Sequence, residues 1–355
     1  MDNDSIISPN DLLLITGSNG FIGTRVVETL LRQGFNHLRC FVRPSSNVSA
    51  LKNIVNSCDR MHKKVEILEG NLLSSEDCRN VVQDVSVIYH LAAGRGEKSY
   101  PDAYMNSVLT TRNLFEAVGN NKNMKRFVNV SSFSVYSGVK IRRGGMLDES
   151  CEIEDQPHLR GEAYCFAKVR QDEMVMDQGN KQGIPYVIVR PGVVYGPGNK
   201  GITGRVGIGT FGLFLHLGGS NLIPLTYVDN CADAIVLAGI KKGVDGEVFN
   251  VVDDHLPTSR ALLKMYKKNV GHFQSIYIPH GLNYFLCYLW EKYSVWSKGQ
   301  LPPVFNRKRY YCYWKSVQYS NGKLKKSLGW TPRVPFRDAS QRYFDYQREV
   351  GVKND

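Results

Sequence analysis

Short apolar runs alternate with stretches of helical periodicity over the first two thirds of the chain. Apolar runs of four to eight residues, bounded by polar or glycine-rich turns, indicate the buried strands of a parallel sheet. Apolar residues spaced three and four apart between these runs indicate amphipathic helices. The alternation predicts an α/β fold with a doubly wound parallel sheet. The predicted strands are 12–15, 38–42, 65–68, 85–93, 126–130, 184–190, 225–230 and 248–252.

The pattern changes after Pro191, where a loop and a glycine-rich segment replace the regular alternation. We therefore expect a dinucleotide-binding Rossmann domain over residues 9–195, with a returning segment at 225–252. Residues 196–224 and 253–350 are expected to form a smaller, mainly C-terminal substrate-binding domain.

A glycine turn joins the first predicted strand to the first predicted helix. Gly17, Gly20 and Gly23 stand three residues apart in it. In a strand–turn–helix unit the first glycine permits the tight turn, the second lets a pyrophosphate approach the backbone, and the third lets the helix pack closely. The unpaired N–H groups at the start of the helix would then face the phosphates. This context predicts a dinucleotide site.

The end of the second predicted strand bears on which dinucleotide binds. Many dinucleotide folds place an acidic residue there, about 20 residues past the glycines, to bind the ribose 2′-hydroxyl. This chain has Arg43 at that place. A guanidinium pairs with a 2′-phosphate, so we expect NADP(H) to be preferred, with NAD(H) possible.

Composition excludes several classes of protein. The 355 residues are 42% hydrophobic and 22% charged, as in globular proteins, and no apolar run approaches the ~20 residues that span a bilayer. The acidic N-terminus does not resemble a secretory signal.

The eight cysteines form no C-x-x-C pair, so we expect reduced thiols, a cytoplasmic protein and no metal site. The net charge of +12 favours anionic partners in general, and we expect no nucleic acid among them.

Candidate catalysis centres on a Tyr-x-x-x-Lys pair, Tyr164 and Lys168, which lie one turn apart on one helix face. A nearby ammonium favours the phenolate, so the tyrosine, with an ordinary pKa near ~10, could move a proton at neutral pH. The same spacing recurs four more times, so position decides. Only Tyr164 lies on a predicted helix between the serine-bearing fifth strand and the sixth strand, at the carboxyl edge where open α/β sheets bind ligands. The other pairs are Tyr136/Lys140, Tyr288/Lys292, Tyr311/Lys315 and Tyr319/Lys323.

The ordered set of motifs resembles the extended short-chain dehydrogenase/reductase family over nearly the whole chain. It is most similar to the epimerase/dehydratase and 3β-hydroxysteroid dehydrogenase-like branch. The matching segments are 16–23, 90–93, 130–136, 164–168, 190–198, 227–234 and 328–332.

The resemblance implies an enzyme with Ser–Tyr–Lys catalysis. By that alignment the serine is Ser132 rather than Ser131, Tyr164 transfers the proton, and Lys168 tunes Tyr164 and binds the nicotinamide ribose. Asn71 stands where many members have Asp at the adenine. The expected cofactor contacts are Gly17, Asn19, Gly20, Phe21, Ile22, Gly23, Arg43, Asn71, Leu72, Leu91, Ala92, Ala93, Tyr164, Lys168, Pro191, Gly192 and Val193.

Departures from the family's patterns reduce the number of reactions that we expect this chain to catalyse. Sugar-nucleotide 4,6-dehydratases carry an Asp-Glu pair after the catalytic Ser/Thr, where this chain has Phe133 and Ser134. Epimerases usually carry a diphosphate-binding Arg where residues 218–225 have none. We therefore expect an NADP(H)-dependent oxidoreductase that interconverts a secondary alcohol and a ketone or aldehyde on an apolar, steroid- or flavonoid-like small molecule. The alternatives are a sugar-nucleotide epimerase with tightly bound NAD(P), or a non-catalytic dinucleotide-binding regulator.

An apolar stripe at helical spacing runs through residues 282–296, and basic residues follow it. One interpretation is an amphipathic helix that touches a membrane or forms the mouth of an apolar substrate site. The other is a helix packed on the protein's own core or on a second copy. A homodimer is expected, and peripheral membrane contact is left open. The stripe consists of Leu282, Phe285, Leu286, Leu289, Trp290, Tyr293 and Trp296.

Overall fold

The structure is a computed structural model of the whole chain. It describes residues 4–58, 63–94, 99–119, 121–210, 212–298, 300 and 305–352. No helix among these residues is both long and apolar enough to cross a membrane.

A seven-stranded, fully parallel sheet forms the centre of the fold, in the spatial order β12-β7-β5-β4-β1-β2-β3. The order reverses on either side of β1 and β4, as in a doubly wound Rossmann sheet. The predicted fold class is confirmed. Its strands are β1 (Leu13–Thr16), β2 (His37–Val42), β3 (Lys64–Glu69), β4 (Val87–His90), β5 (Arg126–Val130), β7 (Tyr186–Pro191) and β12 (Val248–Val251).

Helices cover both faces of this sheet. The first six are α1 (Phe21–Gln33), α2 (Ser49–Ser57), α3 (Ser75–Val81), α4 (Tyr100–Ala103), α5 (Thr110–Val118) and α6 (Ala163–Gln182). The next six are α7 (Val228–Ile240), α8 (Ser259–Asn269), α9 (His280–Trp296), α10 (Arg307–Tyr313), α11 (Gly322–Leu328) and α12 (Phe336–Val352). A π-helical turn (Tyr104–Leu109) joins α4 to α5, and 3-10 turns occupy Phe133–Val135 and Pro157–Arg160.

The remaining strands pair outside the central sheet. A predicted strand at 225–230 proves to be the short β11 (Leu225–Tyr227), which pairs in parallel with β8 (Val193–Tyr195). The predicted strand was too long because α7 begins at Val228. The glycine-rich segment contains an antiparallel pair, β9 (Gly207–Thr210) and β10 (Leu213–His216), to which β13 (Ser275–Tyr277) adds in parallel. A last short pair joins β6 (Met146–Leu147) to β14 (Gln318–Tyr319).

Two apolar layers hold the central sheet, one on each face, as the alternation of strands and helices requires. One layer packs α1 and α7 against the sheet and includes Val26, Leu30 and Ile235. The other packs α3, α5 and α6 and includes Leu114, Phe115 and Val175. Because the strands run parallel, the carboxyl ends of β1, β4 and β5 meet along one edge of the sheet, where the candidate site lies.

Candidate active site

A cavity of about 370 Å³ opens at the carboxyl edge of the central sheet. This is the size range of small-molecule and cofactor pockets. Arg43 and Lys168 are the charged residues on its described wall, and none of the described lining residues is acidic. The described wall of the cavity therefore offers positive charge and no negative charge to an anionic ligand. The lining residues are Gly17, Asn19, Gly20, Phe21, Ile22, Gly23, Phe41, Val42, Arg43, Asn71, Leu72, Leu91, Ala92, Ala93, Gly94, Asn106, Thr110, Val130, Ser131, Tyr164 and Lys168.

The glycine turn forms one end of the cavity. Gly17 has φ of +68°, which side chains rarely adopt, and a Cβ there would come within 2.9 Å of the Ala92 nitrogen. A Cβ on Gly23 would lie 2.1 Å from the Gly17 carbonyl oxygen, so the helix start packs directly on the turn. Gly20 precedes α1 and has no side chain to cap it. The turn thus leaves backbone N–H groups at the helix N-terminus, the arrangement that binds phosphates.

The second and third strands supply the wall beside this turn. Arg43 follows β2 directly, is exposed, and reaches the cavity. Asn71 and Leu72 follow β3, and the Asn71 side-chain oxygen accepts a hydrogen bond from the Leu73 N–H at 3.0 Å. The asparagine oxygen thus shapes its own turn, while Leu72 is buried and gives the wall an apolar surface.

Helix α6 brings Tyr164 and Lys168 to the opposite wall. Its N-terminus lies at the sheet edge, and Tyr164 is its second residue. Tyr164 is 39% exposed, whereas Lys168 is only 3% exposed. The Lys168 Nζ donates to the Val130 carbonyl oxygen and to Gln171 Oε1, both at 2.8 Å. Because two of its three donors are bonded to the protein, the ammonium has a fixed place below the tyrosine.

A buried polar chain continues inward from Lys168. Gln171 Nε2 donates to Thr111 Oγ1 at 2.7 Å, and the Thr111 hydroxyl donates to the Ser107 carbonyl oxygen at 2.5 Å. His90 Nε2 lies 2.8 Å from the same Thr111 oxygen, so this nitrogen carries the histidine's proton. Nδ1 of His90 then accepts from the Thr16 hydroxyl at 2.8 Å.

His90 itself is fully buried. Burial, together with the positive charge of Lys168, lowers the pKa of His90 to about 3. The imidazole is therefore neutral and makes a structural bridge between β1 and α5.

The strand-end serines are placed differently from each other. Ser131 lines the cavity, and Ser132 follows it at the start of a 3-10 turn, where its Oγ accepts the Ser134 N–H at 3.1 Å. A hydroxyl that accepts this bond still has a proton to donate. The assignment of Ser132 as the catalytic serine stays a prediction.

Three expected cofactor contacts do not line this cavity. Pro191 is buried at the end of β7, and Gly192 packs so closely on the Pro224 carbonyl that a Cβ would lie 2.3 Å from its oxygen. Val193 opens β8, whose pairing with β11 turns it toward a second cavity of about 210 Å³. Their proposed contact with the nicotinamide also stays a prediction.

Some residues at this site were not anticipated from the sequence. Gln171 is the clearest case, since it holds Lys168 and is fully buried. Its position three residues past Lys168 on one helix face is a signal that could have suggested contact. Cavity residues beyond the expected set are Phe41, Val42, Gly94, Asn106, Thr110, Val130 and Ser131.

Comparison with known proteins settles the family. The sequence model of the NAD dependent epimerase/dehydratase family matches residues 13–251. The chain belongs to this family. It is an enzyme of the extended short-chain dehydrogenase/reductase kind, and the glycine turn, the helix N-terminus and the cationic cavity described above fit the dinucleotide that this family uses.

Relatives of this enzyme act on more than one class of substrate. A decarboxylating sterol-4-alpha-carboxylate 3-dehydrogenase of Candida albicans is 25% identical, with 95% of this chain and 97% of that protein aligned. A 3 beta-hydroxysteroid dehydrogenase/isomerase of Mycobacterium tuberculosis is 29% identical over 56% of this chain and 51% of that protein. The crystal structure of UDP-glucuronic acid 4-epimerase from Bacillus cereus in complex with NAD superposes with a TM-score of 0.69 at 20% identity. That superposition covers 96% of this chain and 99% of that one, and it confirms the fold.

Proposed function

We propose that the protein is an NADP(H)-dependent oxidoreductase that interconverts a secondary alcohol and a ketone, or an aldehyde, on an apolar substrate. The observation that carries the proposal is the pairing of Tyr164 and Lys168 on the wall of the cavity of about 370 Å³, with the lysine fixed by protein contacts. Sterol and hydroxysteroid dehydrogenases among the relatives support this reaction type.

Each side chain has a definite task in this proposal. When bound, the nicotinamide would supply or accept the hydride. Tyr164 would hold or move the proton at the substrate oxygen, since its hydroxyl lies on the partly exposed part of the cavity wall. The buried ammonium of Lys168 would favour the phenolate form of Tyr164. Ser132 would donate a hydrogen bond to the substrate oxygen.

The preference for NADP(H) is supported by the cavity's charge. Arg43 lies on its wall at the strand end where a 2′-phosphate would bind, and none of the described lining residues carries a carboxylate to repel that phosphate. A bidentate guanidinium–phosphate contact would discriminate between the two dinucleotides.

An apolar substrate is supported by the relatives, which include sterol and hydroxysteroid dehydrogenases. Segment 218–225, where sugar-nucleotide epimerases usually carry a diphosphate-binding Arg, contains none. Tyr104 and Met105 are large side chains that stay exposed in the same π-helical turn as the cavity residue Asn106. A homodimer and a cytoplasmic location, both expected from the sequence, stay predictions.

The direct test measures NADPH consumption on a panel of steroid, flavonoid and other apolar ketones and aldehydes. Wild-type protein is expected to turn over part of the panel, and Tyr164→Phe to lose on the order of 10³-fold in kcat, because proton transfer by a positioned side chain contributes about that much. Tyr288→Phe, a tyrosine of the same spacing on α9, is the matched control. Full turnover by Tyr164→Phe would contradict the mechanism. Cofactor that copurifies, with no net NADPH consumption, would indicate an epimerase.

A further inference from the structure

Helix α9 is oriented with most of its large apolar side chains outward. Its buried residues are the small or polar Asn283, Cys287 and Ser294. Two aromatic residues, Tyr284 and Trp290, are half-buried and pack against Tyr310 and Phe305, so Trp290 does not belong to the exposed part of the predicted stripe. By contrast, α1 buries Val26 and Leu30 and follows the usual rule for a surface helix. The outward stripe of α9 follows the spacing i, i+3, i+4, i+7, i+11, i+14. Its members are Leu282, Phe285, Leu286, Leu289, Tyr293 and Trp296.

This stripe belongs to a larger exposed surface, which we call the α9 apolar face. Phe285 is 52% exposed and Trp296 77%, and the neighbouring strand β13 adds Ile276 and Tyr277, also exposed. Contiguous exposed apolar surfaces of this kind mark interaction sites. The α9 apolar face comprises Ile276, Tyr277, Leu282, Phe285, Leu286, Leu289, Tyr293, Val295 and Trp296.

The part of the chain that carries this face is rich in positive charge, although Lys308, Lys323, Lys325 and Arg333 within it pair with acidic residues elsewhere. Residues 255–337 contain fifteen lysines and arginines and one acidic residue, a net of +14, which exceeds the +12 of the whole chain. The acidic residue, Glu291, is paired with Arg307, whose Nε lies 2.8 Å from its carboxylate. Lys292 is exposed and lies between Tyr288 and Trp296 along α9, with its Nζ 5.6 Å from the Tyr288 ring centroid.

A basic stripe on α8 borders the same face. Arg260, Lys264 and Lys268 are exposed and spaced four apart, so they share one side of α8. The Arg260 guanidinium lies 5.6 Å from the ring centroid of Tyr277, which ties this stripe to the α9 apolar face. Lys267, on the next position round the helix, donates to Ser275 at the start of β13.

We propose that the α9 apolar face binds the surface of an anionic lipid bilayer. An outward stripe of Leu, Phe, Tyr and Trp flanked by Lys and Arg is the pattern of a helix that lies in the membrane interface. The apolar side chains would enter the headgroup boundary, the aromatic rings would sit at its level, and the basic side chains would pair with anionic headgroups. A second copy of the chain fits this face less well, because pairing two α9 apolar faces would bring their basic residues together and these would repel each other.

The test is cosedimentation of the full-length protein with vesicles. One set contains phosphatidylcholine with about 30 mol% phosphatidylserine, and the other phosphatidylcholine alone. Wild-type protein is expected to pellet with the anionic vesicles at low salt, at least tenfold more than with neutral ones, and to be released as salt rises. Equal pelleting with both, or none with either, would overturn the proposal without any variant being made.

Two variants locate the contact. Phe285→Asp/Leu289→Asp is expected to lose at least tenfold in binding to anionic vesicles, and Lys264→Glu/Lys268→Glu to lose binding at low salt. Leu68→Asp/Leu73→Asp is the matched control, since it adds the same two charges at exposed leucines. Leu68 lies within β3 and Leu73 shortly after it, at an edge of the central sheet. Circular dichroism confirms folding. Undiminished binding by Phe285→Asp/Leu289→Asp would overturn the proposal, as would a dimer in solution that this variant abolishes.

The proposal stands apart from the proposed reaction, because vesicle binding is measured without substrate or cofactor. A protein that pellets with anionic vesicles and turns over none of the carbonyl panel would retain the membrane inference and lose the catalytic one. A protein that turns over part of the carbonyl panel and does not pellet with anionic vesicles would retain the catalytic proposal and lose the membrane inference.

Discussion

Helices α6 and α9 both carry a Tyr-x-x-x-Lys pair, and the structure uses the two pairs differently. In α6, Lys168 is buried and its Nζ is held by Val130 and Gln171. In α9, Lys292 is exposed and its Nζ lies over the ring of its own partner, Tyr288. The same four-residue spacing thus fixes an ammonium in one helix and solvates it in the other.

The difference arises from what lies next to each helix. The N-terminus of α6 meets the carboxyl ends of β4 and β5, where backbone carbonyls and side-chain amides surround the lysine. Helix α9 has no strand end beside its lysine among the described residues, and it turns its apolar stripe outward. A sequence spacing therefore gains chemical meaning only from its position relative to the sheet.

Replacing the lysine in each helix is expected to give the largest difference in kcat between the two helices. Lys168→Met is expected to lower kcat on a responsive carbonyl about 100-fold, because the phenolate of Tyr164 loses the nearby ammonium that favours it. Lys292→Met, the same exchange on α9, should leave kcat within about twofold. Steady-state kinetics on both purified variants gives the answer, with thermal melting as the check on folding. Equal losses in the two variants would contradict the assignment.

Removing the partner of Lys168 should have a smaller effect. Gln171→Leu is expected to lower kcat about tenfold, or ~1.4 kcal/mol in the activation barrier, because Lys168 loses one of the two acceptors that hold its ammonium in place. Cofactor affinity should stay unchanged, since Gln171 does not line the cavity.

Two further variants separate positioning from packing. Gln171→Glu keeps the oxygen that accepts from Lys168 and should recover part of kcat. Gln178→Leu, farther along α6, serves as the control for the loss of an amide on this helix. If Gln171→Leu altered cofactor affinity and left kcat unchanged, a positioning role would be refuted.

The polar chain behind α6 should show itself in acid through His90. His90 has a folded pKa of about 3 and an ordinary pKa of 6.5, so the unfolded chain binds the extra proton between those values. The contribution of neutral His90 to the free energy of unfolding is fully present above pH 6.5. It is lost as pH falls from 6.5 towards 3, with a slope of ~1.4 kcal/mol per pH unit for one proton. His90→Gln is expected to flatten the slope of unfolding free energy between pH 6.5 and 4 by about that amount. An unchanged slope would show that His90 is protonated in the folded state.

Much of the α6 site could be predicted from the sequence because it depends on local order. The glycine turn, the strand ends and the Tyr164–Lys168 spacing are each set by residues close in the chain. Gln171 was missed because its role depends on Thr111, which comes from α5 and meets it only when two helices pack on the sheet.

The outward orientation of α9 could not be predicted for a related reason. Periodicity identifies an apolar stripe but does not say which side faces the protein. The fully buried side chains of α9 include Asn283 and Ser294, which are polar. Tyr284 and Trp290 also pack against the protein, and the sequence does not distinguish them from the exposed Tyr293 and Trp296. Similarly, the turn of Val193 away from the cavity results from β8 pairing with β11, a contact between distant segments.

The most direct measurement is a fluorescence titration of the purified protein with NADPH and with NADH. It tests whether the cavity beside α6 is the place where NADP(H) binds. Wild-type protein should bind NADPH more tightly, and Arg43→Asp should lose that preference by about tenfold or more, since a charge-assisted contact to the 2′-phosphate is replaced by repulsion. Equal affinity for both dinucleotides, unchanged in Arg43→Asp, would contradict the account and point to an NAD-linked dehydrogenase or an epimerase.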